Sequence, residues 1–324
     1  MQERIFSIDS EEKFNEVCLE VYHYQKVKCP VYGKYVDLLG KAKTDINHYT
    51  QIPFLPIDFF KTQQILAEGH QAEITFTSSG TTGMVTSQHQ VADLSWYEKS
   101  FRSCFQRFYG EVENIAVLAL LPSYLERSGS SLIYMVDDLI EGSQHPSSGY
   151  FLYNHEDLCS TLLELKKSGT KTLLIGVTYA LLDFCEQYQV DFSNLMVMET
   201  GGMKGKRKEM IREELHRILT KGFGVEKIHS EYGMTELLSQ GYSFGDGIFR
   251  TPPWMQVLMR DTNDPLTLIE HGKTGAINVI DLANYYSCSF IATQDLGKLH
   301  EEGSFEILGR FDNSDIRGCN LLVQ

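Results

Sequence analysis

The sequence has little positive charge. Its 29 Lys and Arg residues are outnumbered by 43 Asp and Glu residues, which gives a formal net charge of −14 over 324 residues. A surface this acidic argues against nonspecific binding to nucleic acid or to anionic lipid, although it is compatible with a local basic pocket for phosphates. We therefore expect no nucleic-acid partner.

Long apolar runs and close cysteine pairs are also missing. The longest apolar stretch, Ile115–Pro122, is too short to cross a bilayer and suits a buried strand. The charged segment Met1–Phe14 lacks the apolar core of a signal peptide. The cysteines form no CxxC pair and are odd in number, which favours reduced thiols over disulfides or zinc, so we expect a cytoplasmic protein without a membrane span. They are Cys18, Cys29, Cys104, Cys159, Cys185, Cys288 and Cys319.

The hydrophobic content of 42% is ample for a sizeable core. Apolar runs alternate with helical patterns, which predicts an α/β fold with a largely parallel sheet. From Gly245 onward the pattern changes to short strands and turns. The predicted helices include 10–27, 91–109, 155–168 and 206–220.

The most informative segment joins a β-rich run to a group of small residues. This group comprises Ser78, Ser79, Gly80, Thr81, Thr82 and Gly83. Glycines let backbone N–H groups approach an anion, and hydroxyl groups add donors without bulk. The segment is not a Walker loop, because Met84 stands where that loop requires lysine. Taken alone, it could bind the phosphates of a nucleotide or be an ordinary polar turn between a strand and a helix.

Three further motifs follow this loop. They are METGGMKG at Met198–Gly205, EYGMTE at Glu231–Glu236, and TQDLG with Asp295 followed by GRFD at Gly309–Asp312. Together, and in this order, the four motifs resemble the signatures of the adenylate-forming superfamily, which includes acyl-CoA synthetases, adenylation domains and firefly luciferase. Chance could produce one such match but hardly all four.

Within the superfamily, the sequence most resembles the acyl-protein synthetases of bacterial bioluminescence fatty-acid reductase complexes. The segments Pro122–Met135 and Arg317–Val323 carry this resemblance. The phenylacetate-CoA ligase branch is a more distant relative. The resemblance implies an acyl reductase or an acyl-carrier protein as a partner.

The resemblance also implies a fold: the large N-terminal α/β domain of adenylate-forming enzymes, with mixed and parallel sheets. We expect a helical lead-in over 1–74, an α/β phosphate-loop subdomain over 75–220, and a second α/β and β-rich subdomain over 221–324. The sequence ends at Gln324, shortly after Arg310, so we expect no C-terminal lid domain. The lysine that the lid supplies would then be replaced by Lys204, Lys206 or a partner subunit.

The resemblance assigns roles in nucleotide binding. Ser78–Gly83 would hold the β- and γ-phosphates of ATP. Gly201, Gly202 and Met203 would form one wall of the adenine slot, and Tyr232 would stack on the base. The neighbouring Gly233 and Met234 belong to the same nucleotide-binding segment.

The remaining roles concern the α-phosphate, the metal, the ribose and the acyl group. Thr235 would donate to the α-phosphate, and Glu236 would bind Mg²⁺, a cation that prefers oxygen ligands. Asp295 would accept from the ribose hydroxyls, and Arg310 would reach the ribose or a phosphate. Cys319 would accept the acyl group as a thioester, with Arg317 favouring its thiolate.

Each residue alone also permits a structural interpretation. Asp295 could belong to an ordinary turn, Tyr232 to the core, and Glu236 to a helix end. Cys319 could be a small buried hydrophobe. The ordered set of motifs favours the functional interpretation over these.

The sequence analysis therefore predicts an enzyme that activates a carboxylic acid, expected to be a fatty acid, as an acyl-adenylate. The acyl group would pass to a protein thiol, with Cys319 as the candidate, for delivery to a partner reductase. One alternative is a ligase that transfers the acyl group directly to CoA or to a carrier protein. Another is a catalytically weak nucleotide-binding subunit.

Overall fold

The computed structural model of the chain describes residues 1–40, 45–78, 85–122, 129–201 and 210–310. These residues form two compact units. The first unit contains Met1–Ile74, His89–Asp93 and the described residues from Pro253 onward. The second unit contains the described residues of Thr75–Gln88 and Leu94–Pro252.

The helices and strands are distributed over both units. The helices are α1 (Gln2–Phe6), α2 (Glu11–Lys28), α3 (Pro30–Leu38), α4 (Phe59–Thr62), α5 (Leu94–Tyr109), α6 (Ser131–Ser143), α7 (His155–Ser168), α8 (Thr178–Gln187) and α9 (Arg212–Phe223). The strands are β1 (Leu55–Pro56), β2 (Ile74–Thr77), β3 (Gln88–Val91), β4 (Ala116–Leu120), β5 (Gly149–Tyr150), β6 (Thr172–Gly176), β7 (Leu195–Glu199), β8 (His229–Tyr232), β9 (Gly241–Ser243), β10 (Ile248–Arg250), β11 (Met255–Arg260), β12 (Thr274–Asp281), β13 (Phe290–Leu299) and β14 (Phe305–Arg310).

The sheet of the second unit is mainly parallel. Its described strands follow the order β10-β9-β8-β7-β6-β4-β5. Strands β5, β4, β6, β7 and β8 are parallel, whereas β9 and β10 are antiparallel. Every residue of β4 and β6 is buried, which is why both strands are continuous hydrophobic runs rather than alternating patterns.

The sheet of the first unit is mainly antiparallel. Strands β11, β12, β13 and β14 pair in sequence order, and the short strand β1 joins β13 in parallel. Helix α2 begins after Ser10, whose side chain accepts from the N–H of Lys13. Its buried Gln25 donates to the carbonyl of Asn284 at 2.8 Å and accepts from the N–H of Ser289 at 2.9 Å. These bonds tie α2 to the loop before β13.

The predicted α/β class with mixed and parallel sheets is confirmed. The helix predicted over 155–168 is found at His155–Ser168, and the one predicted over 10–27 is found at Glu11–Lys28. The helix predicted over 206–220 begins only at Arg212, because the backbone of Ile211 is extended, and it ends at Phe223. The described helices include none that is both long and apolar enough to span a membrane.

One further prediction of a helix start and one of strand length are wrong. The helix predicted from residue 91 begins at Leu94, because Val91 still belongs to β3 and Asp93 is the residue type favoured just before a helix. The strands after Gly245 are not all short, since β12 has 8 residues and β13 has 10. Strand β13 continues through Gly297 with a shift of register, so that this glycine marks a bulge rather than the end of the strand.

Candidate functional site

The carboxyl ends of parallel strands meet at one edge of the sheet in the second unit. Leu120 of β4 pairs with Gly176 of β6, and Gly176 pairs with Glu199 of β7. Glu199 in turn pairs with Ser230 of β8. Open α/β sheets bind ligands in the crevice outside the carboxyl ends of their strands. The segments that follow β7 and β8, which carry two of the sequence motifs, therefore leave the sheet side by side at this edge.

The glycine turn after β7 begins at Gly201. Its φ is +71°, in the left-handed region that favours glycine. The carbonyl of Gly201 accepts from the N–H of Thr178 at 3.1 Å, and the N–H of Gly201 donates to Glu199 Oε2 at 2.8 Å. The N–H and the carbonyl of Gly201 thus hold this residue against β7 and α8.

The EYGMTE segment continues from β8. Tyr232 ends the strand and is buried, with its ring edge-on to Phe249 at 6.2 Å between centroids. Gly233 is exposed, and a Cβ there would meet Glu231 Oε1, the far end of a flexible side chain. A turn follows in which the N–H of Leu237 donates to the carbonyl of Met234 at 3.0 Å.

Thr235 and Glu236 lie within this turn. Thr235 is partly exposed, whereas the Glu236 side chain is only 5% exposed. A carboxylate in such a position is costly to desolvate unless it is hydrogen-bonded or paired, so its burial by itself assigns Glu236 no role. The structure thus puts Tyr232, Gly233, Thr235 and Glu236 on one segment at the edge where Gly201 also lies.

The base of the phosphate loop is described up to Ser78. The N–H of Ser78 donates to the carbonyl of Ser87 at 3.0 Å, and the N–H of Ser87 donates to Ser78 Oγ at 2.9 Å. These two hydrogen bonds join Ser78, at the start of the loop, to Ser87, which follows the loop. The N–H of Thr77 donates to the carbonyl of Gly129 at 2.8 Å, which places the segment just before α6 beside the loop base.

A buried carboxylate, Glu199, lies behind the glycine turn. Burial by itself would raise the pKa of the Glu199 carboxyl, but neighbouring polar groups and a positive charge bring this pKa below its ordinary value. These groups are the side chains of His216 and Ser230, the N–H of Gly201, and the charge of Arg212. Glu199 is therefore a carboxylate at neutral pH.

The pKa of Glu231, unlike that of Glu199, is raised above its ordinary value. Burial, with a smaller effect of the Glu199 carboxylate, raises the pKa of Glu231 to about 8. The neighbouring His229 is also kept neutral, since burial and the charge of Lys227 lower the pKa of its imidazole to about 4. The Tyr109 hydroxyl and His229 Nδ1 are 3.2 Å apart, within hydrogen-bond distance.

The substitution Glu231→Gln is expected to remove a loss of stability that develops as the pH rises from about 4.5 to 8. Between an ordinary pKa near 4.5 and the folded value of about 8, the folded chain holds a proton that the unfolded chain has released. The stability that Glu231 contributes is therefore complete below pH 4.5 and is lost as the pH rises towards 8. Glutamine resembles the neutral acid at every pH, so the variant should gain about 1–3 kcal/mol relative to wild type between pH 5 and 8.5.

Urea unfolding at a series of pH values measures this difference. Glu113→Gln is the matched control, because Glu113 is an exposed carboxylate in the same unit. Parallel stability curves for wild type and Glu231→Gln would show that Glu231 titrates normally.

In the first unit, Asp295 and Arg310 lie opposite each other on β13 and β14. Arg310 Nε is 3.3 Å from Asp295 Oδ1, and the Arg310 side chain is half exposed. The N–H of Asp295 donates to Thr293 Oγ1 at 3.2 Å, and this hydroxyl donates to the carbonyl of Ile277 at 2.8 Å. The backbone at Asp295 is thus fixed by its own strand and by β12.

Arg260 was not identified from the sequence. Its guanidinium is buried at the end of β11 and donates to the carbonyls of Ile277 at 2.7 Å and Thr293 at 2.5 Å, and to Asn278 Oδ1 at 2.8 Å. Burial lowers the pKa of Arg260 to about 10, while the charge of Asp295 acts in the opposite direction. A lone Arg at the end of an apolar strand gives no signal in the sequence that it supports the strand of Asp295.

Several predicted site residues lie outside the described residues. They are Ser79, Gly80, Thr81, Thr82, Gly83, Gly202, Met203 and Cys319. The lysines proposed to replace the lid lysine, Lys204 and Lys206, also lie outside them. The roles of these residues stay predictions.

Among the described residues there is no cluster of three or more His, Cys, Asp or Glu side chains that could hold a metal ion. Mg²⁺ does not require such a cluster, because it is usually bound by one or two carboxylates together with substrate phosphates and water. A single carboxylate such as Glu236, at the edge where a nucleotide would bind, has the donor chemistry that suits this ion.

Residues 138–324, more than half of the chain, match the protein family described as acyl-protein synthetase, LuxE. No curated protein matches the sequence significantly. The matched residues include the glycine turn, the EYGMTE segment, Asp295, Arg310 and Cys319.

The fold is similar to those of several solved structures. One is ATP-bound MatB from Rhodopseudomonas palustris, with a TM-score of 0.54 and 18% identity over 73% of this chain and 47% of MatB. Another is a 2-hydroxyisobutyryl-CoA ligase in complex with 2-HIB-AMP and CoA, with a TM-score of 0.64 and 10% identity over 94% of this chain and 70% of the ligase. At these identities the likeness concerns the fold alone, and this chain spans about half of the length of MatB.

Proposed function

The chain belongs to the LuxE acyl-protein synthetase family, within the adenylate-forming superfamily, and on this basis we propose that it uses ATP to activate a carboxylic acid and transfers the acyl group to a thiol. A fatty acid is the proposed substrate. The observation that carries the proposal is the placement of Gly201 and the EYGMTE segment side by side at the carboxyl edge of a parallel sheet. This edge is where α/β sheets bind nucleotides.

In the proposed first step, a carboxylate oxygen of the acid attacks the α-phosphorus of ATP. A new P–O bond forms, the bond to the β-phosphate oxygen breaks, and pyrophosphate leaves with the bonding electrons. The protein must hold two anions together, and Thr235 would donate to the α-phosphate as its charge changes. Bound Mg²⁺ would neutralise phosphate charge, and Glu236 is its proposed ligand.

In the proposed second step, a thiolate attacks the acyl carbonyl carbon and AMP leaves. The described cysteines are poor candidates for this nucleophile, because burial raises the pKa of five of their thiols and favours the unreactive neutral form. These five are Cys18, Cys29, Cys159, Cys185 and Cys288. The buried thiol of Cys104 donates to the carbonyl of Gln240 at 3.4 Å. Cys319 is the remaining cysteine and the proposed acceptor.

Product analysis tests the proposal. The purified protein, incubated with Mg²⁺, ATP and a fatty acid, should form AMP and pyrophosphate together with an acyl-thioester. Formation of ADP and phosphate would contradict the adenylate step. An acyl group that appears only on added CoA, with none on the protein, would favour direct transfer to CoA.

Asp295→Ala is expected to weaken ATP binding. In our proposal this carboxylate accepts from the ribose hydroxyls, and losing a hydrogen bond to a charged group costs about 1.5–3 kcal/mol. The KM for ATP should therefore rise about 10- to 100-fold, while kcat changes much less, because the ribose contact is alike in the ground state and the transition state.

Steady-state kinetics of pyrophosphate release at varied ATP separates the two constants. Asp9→Ala is a suitable control, since Asp9 is an exposed carboxylate of the same unit. An unchanged KM for ATP in Asp295→Ala would remove Asp295 from the nucleotide site.

A further inference from the structure

Glu199 is a buried carboxylate to which the sequence motifs assign no role. It is the last residue of β7 and is only 7% exposed. Burying a charge costs several kcal/mol unless it is hydrogen-bonded, whereas an apolar residue would fill the same place without that cost. Its contacts therefore indicate what the charge is there to do.

One carboxylate oxygen holds the glycine turn. Glu199 Oε2 accepts from the N–H of Gly201 at 2.8 Å and from the hydroxyl of Thr178 at 3.2 Å. The N–H of Thr178 donates to the carbonyl of Gly201 at 3.1 Å. Thr178 is the first residue of α8, so Glu199 and Thr178 together fix Gly201 on both sides of its left-handed conformation.

The other side of the carboxylate faces α9 and β8. His216 Nε2 of α9 is 3.9 Å from Glu199 Oε1. Ser230 of β8 is paired with Glu199 in the sheet, and its hydroxyl is buried. Glu199 thus connects the start of the glycine turn to the strand that leads into EYGMTE.

We propose that Glu199 is a positioning residue for the nucleotide: its carboxylate holds Gly201 in the conformation that accepts ATP. This inference rests on the proposed function. Because the charge acts through Gly201 and touches no reacting atom, its loss should weaken ATP binding without slowing the chemical step.

Glu199→Gln tests the charge at nearly constant volume. The amide oxygen can still accept from Gly201 and Thr178, but these hydrogen bonds lose the strength that the negative charge gives them. We expect the KM for ATP to rise about tenfold or more, with kcat within about threefold of wild type. Glu164→Gln, which alters an exposed carboxylate on α7 in the same unit, should match wild type.

Thr178→Val is a second, milder variant. It removes the hydroxyl that donates to Glu199 Oε2 and keeps the backbone N–H that holds Gly201. We expect a rise of about three- to tenfold in the KM for ATP. Because both side chains act on the same turn, the double variant should be less impaired than the product of the two single effects.

ATP-dependent pyrophosphate release and calorimetric ATP binding should be measured on wild type and on all variants, with circular dichroism as the check on folding. A higher KM and weaker ATP binding with retained kcat support the positioning role. An unchanged KM in folded Glu199→Gln, with active wild type, overturns the inference and leaves the proposed function intact. If Glu199→Gln does not fold, an unchanged KM in Thr178→Val overturns it equally. Wild type that binds no ATP overturns the proposed function and the inference together.

Discussion

Glu236→Gln is expected to lower the rate of acid-dependent ATP–pyrophosphate exchange by about 100- to 1,000-fold, the loss typical of removing one electrostatic stabiliser of a transition state. The side chain is nearly buried within the turn after β8, and its segment leaves the sheet beside the Gly201 turn. Glutamine keeps the size and one acceptor oxygen but has no charge. Since Mg²⁺ neutralises phosphate charge that moves during the reaction, kcat should fall much more than the affinity for ATP.

Exchange rates at saturating ATP and acid, measured over a range of Mg²⁺ concentrations, give the effect. Glu226→Gln is the matched control, because Glu226 is an exposed carboxylate just before β8. High Mg²⁺ should restore part of the activity of Glu236→Gln and should not affect the control. An exchange rate of Glu236→Gln equal to that of wild type would refute the assignment of Glu236 as the metal ligand.

Cys319→Ala is expected to abolish the acyl-thioester on the protein while adenylation continues. Without the thiol the acyl-adenylate has no acceptor on the chain, so label from a radioactive fatty acid should no longer be released from the protein by neutral hydroxylamine. ATP–pyrophosphate exchange should stay within about threefold of wild type, because the thiol enters only the second step.

Two further variants sharpen this experiment. Cys159→Ala removes one of the partly exposed cysteines and should label as wild type does. Cys319→Ser could form an oxygen ester, which resists hydroxylamine better than a thioester, so its label should persist after treatment. Full hydroxylamine-labile labelling of Cys319→Ala would show that another residue is the acceptor.

The parts of the fold that the sequence predicted best are the ones that local pattern determines. Strands β4 and β6 are continuous hydrophobic runs, and helix α7 has its apolar residues on one face and Gly169 directly after its end. The antiparallel strands of the first unit were predicted as too short. Their length depends on pairing between distant segments, which lets β13 run through Gly297 as a bulge.

In the candidate site too, the sequence predicted short local motifs but not contacts between distant segments. Gly201 and Tyr232–Glu236 could be predicted because each lies in a short contiguous motif. Glu199 lies in the same motif as Gly201, yet its role could not be predicted, because its partners come from three other elements. These partners are Thr178 at the start of α8, His216 on α9 and Ser230 on β8. Arg260 was missed for a similar reason, since its acceptors lie on β12 and β13.

The most direct test of the central claim is ATP–pyrophosphate exchange by the purified protein. Reversible formation of an acyl-adenylate predicts that label from pyrophosphate enters ATP only when Mg²⁺ and a suitable acid are present, and a panel of fatty and aromatic acids should identify that acid. Exchange that depends on the acid, with a preference for fatty acids, is the result we expect. A folded protein that neither exchanges with any acid of the panel nor binds ATP at millimolar concentrations would contradict the proposed function.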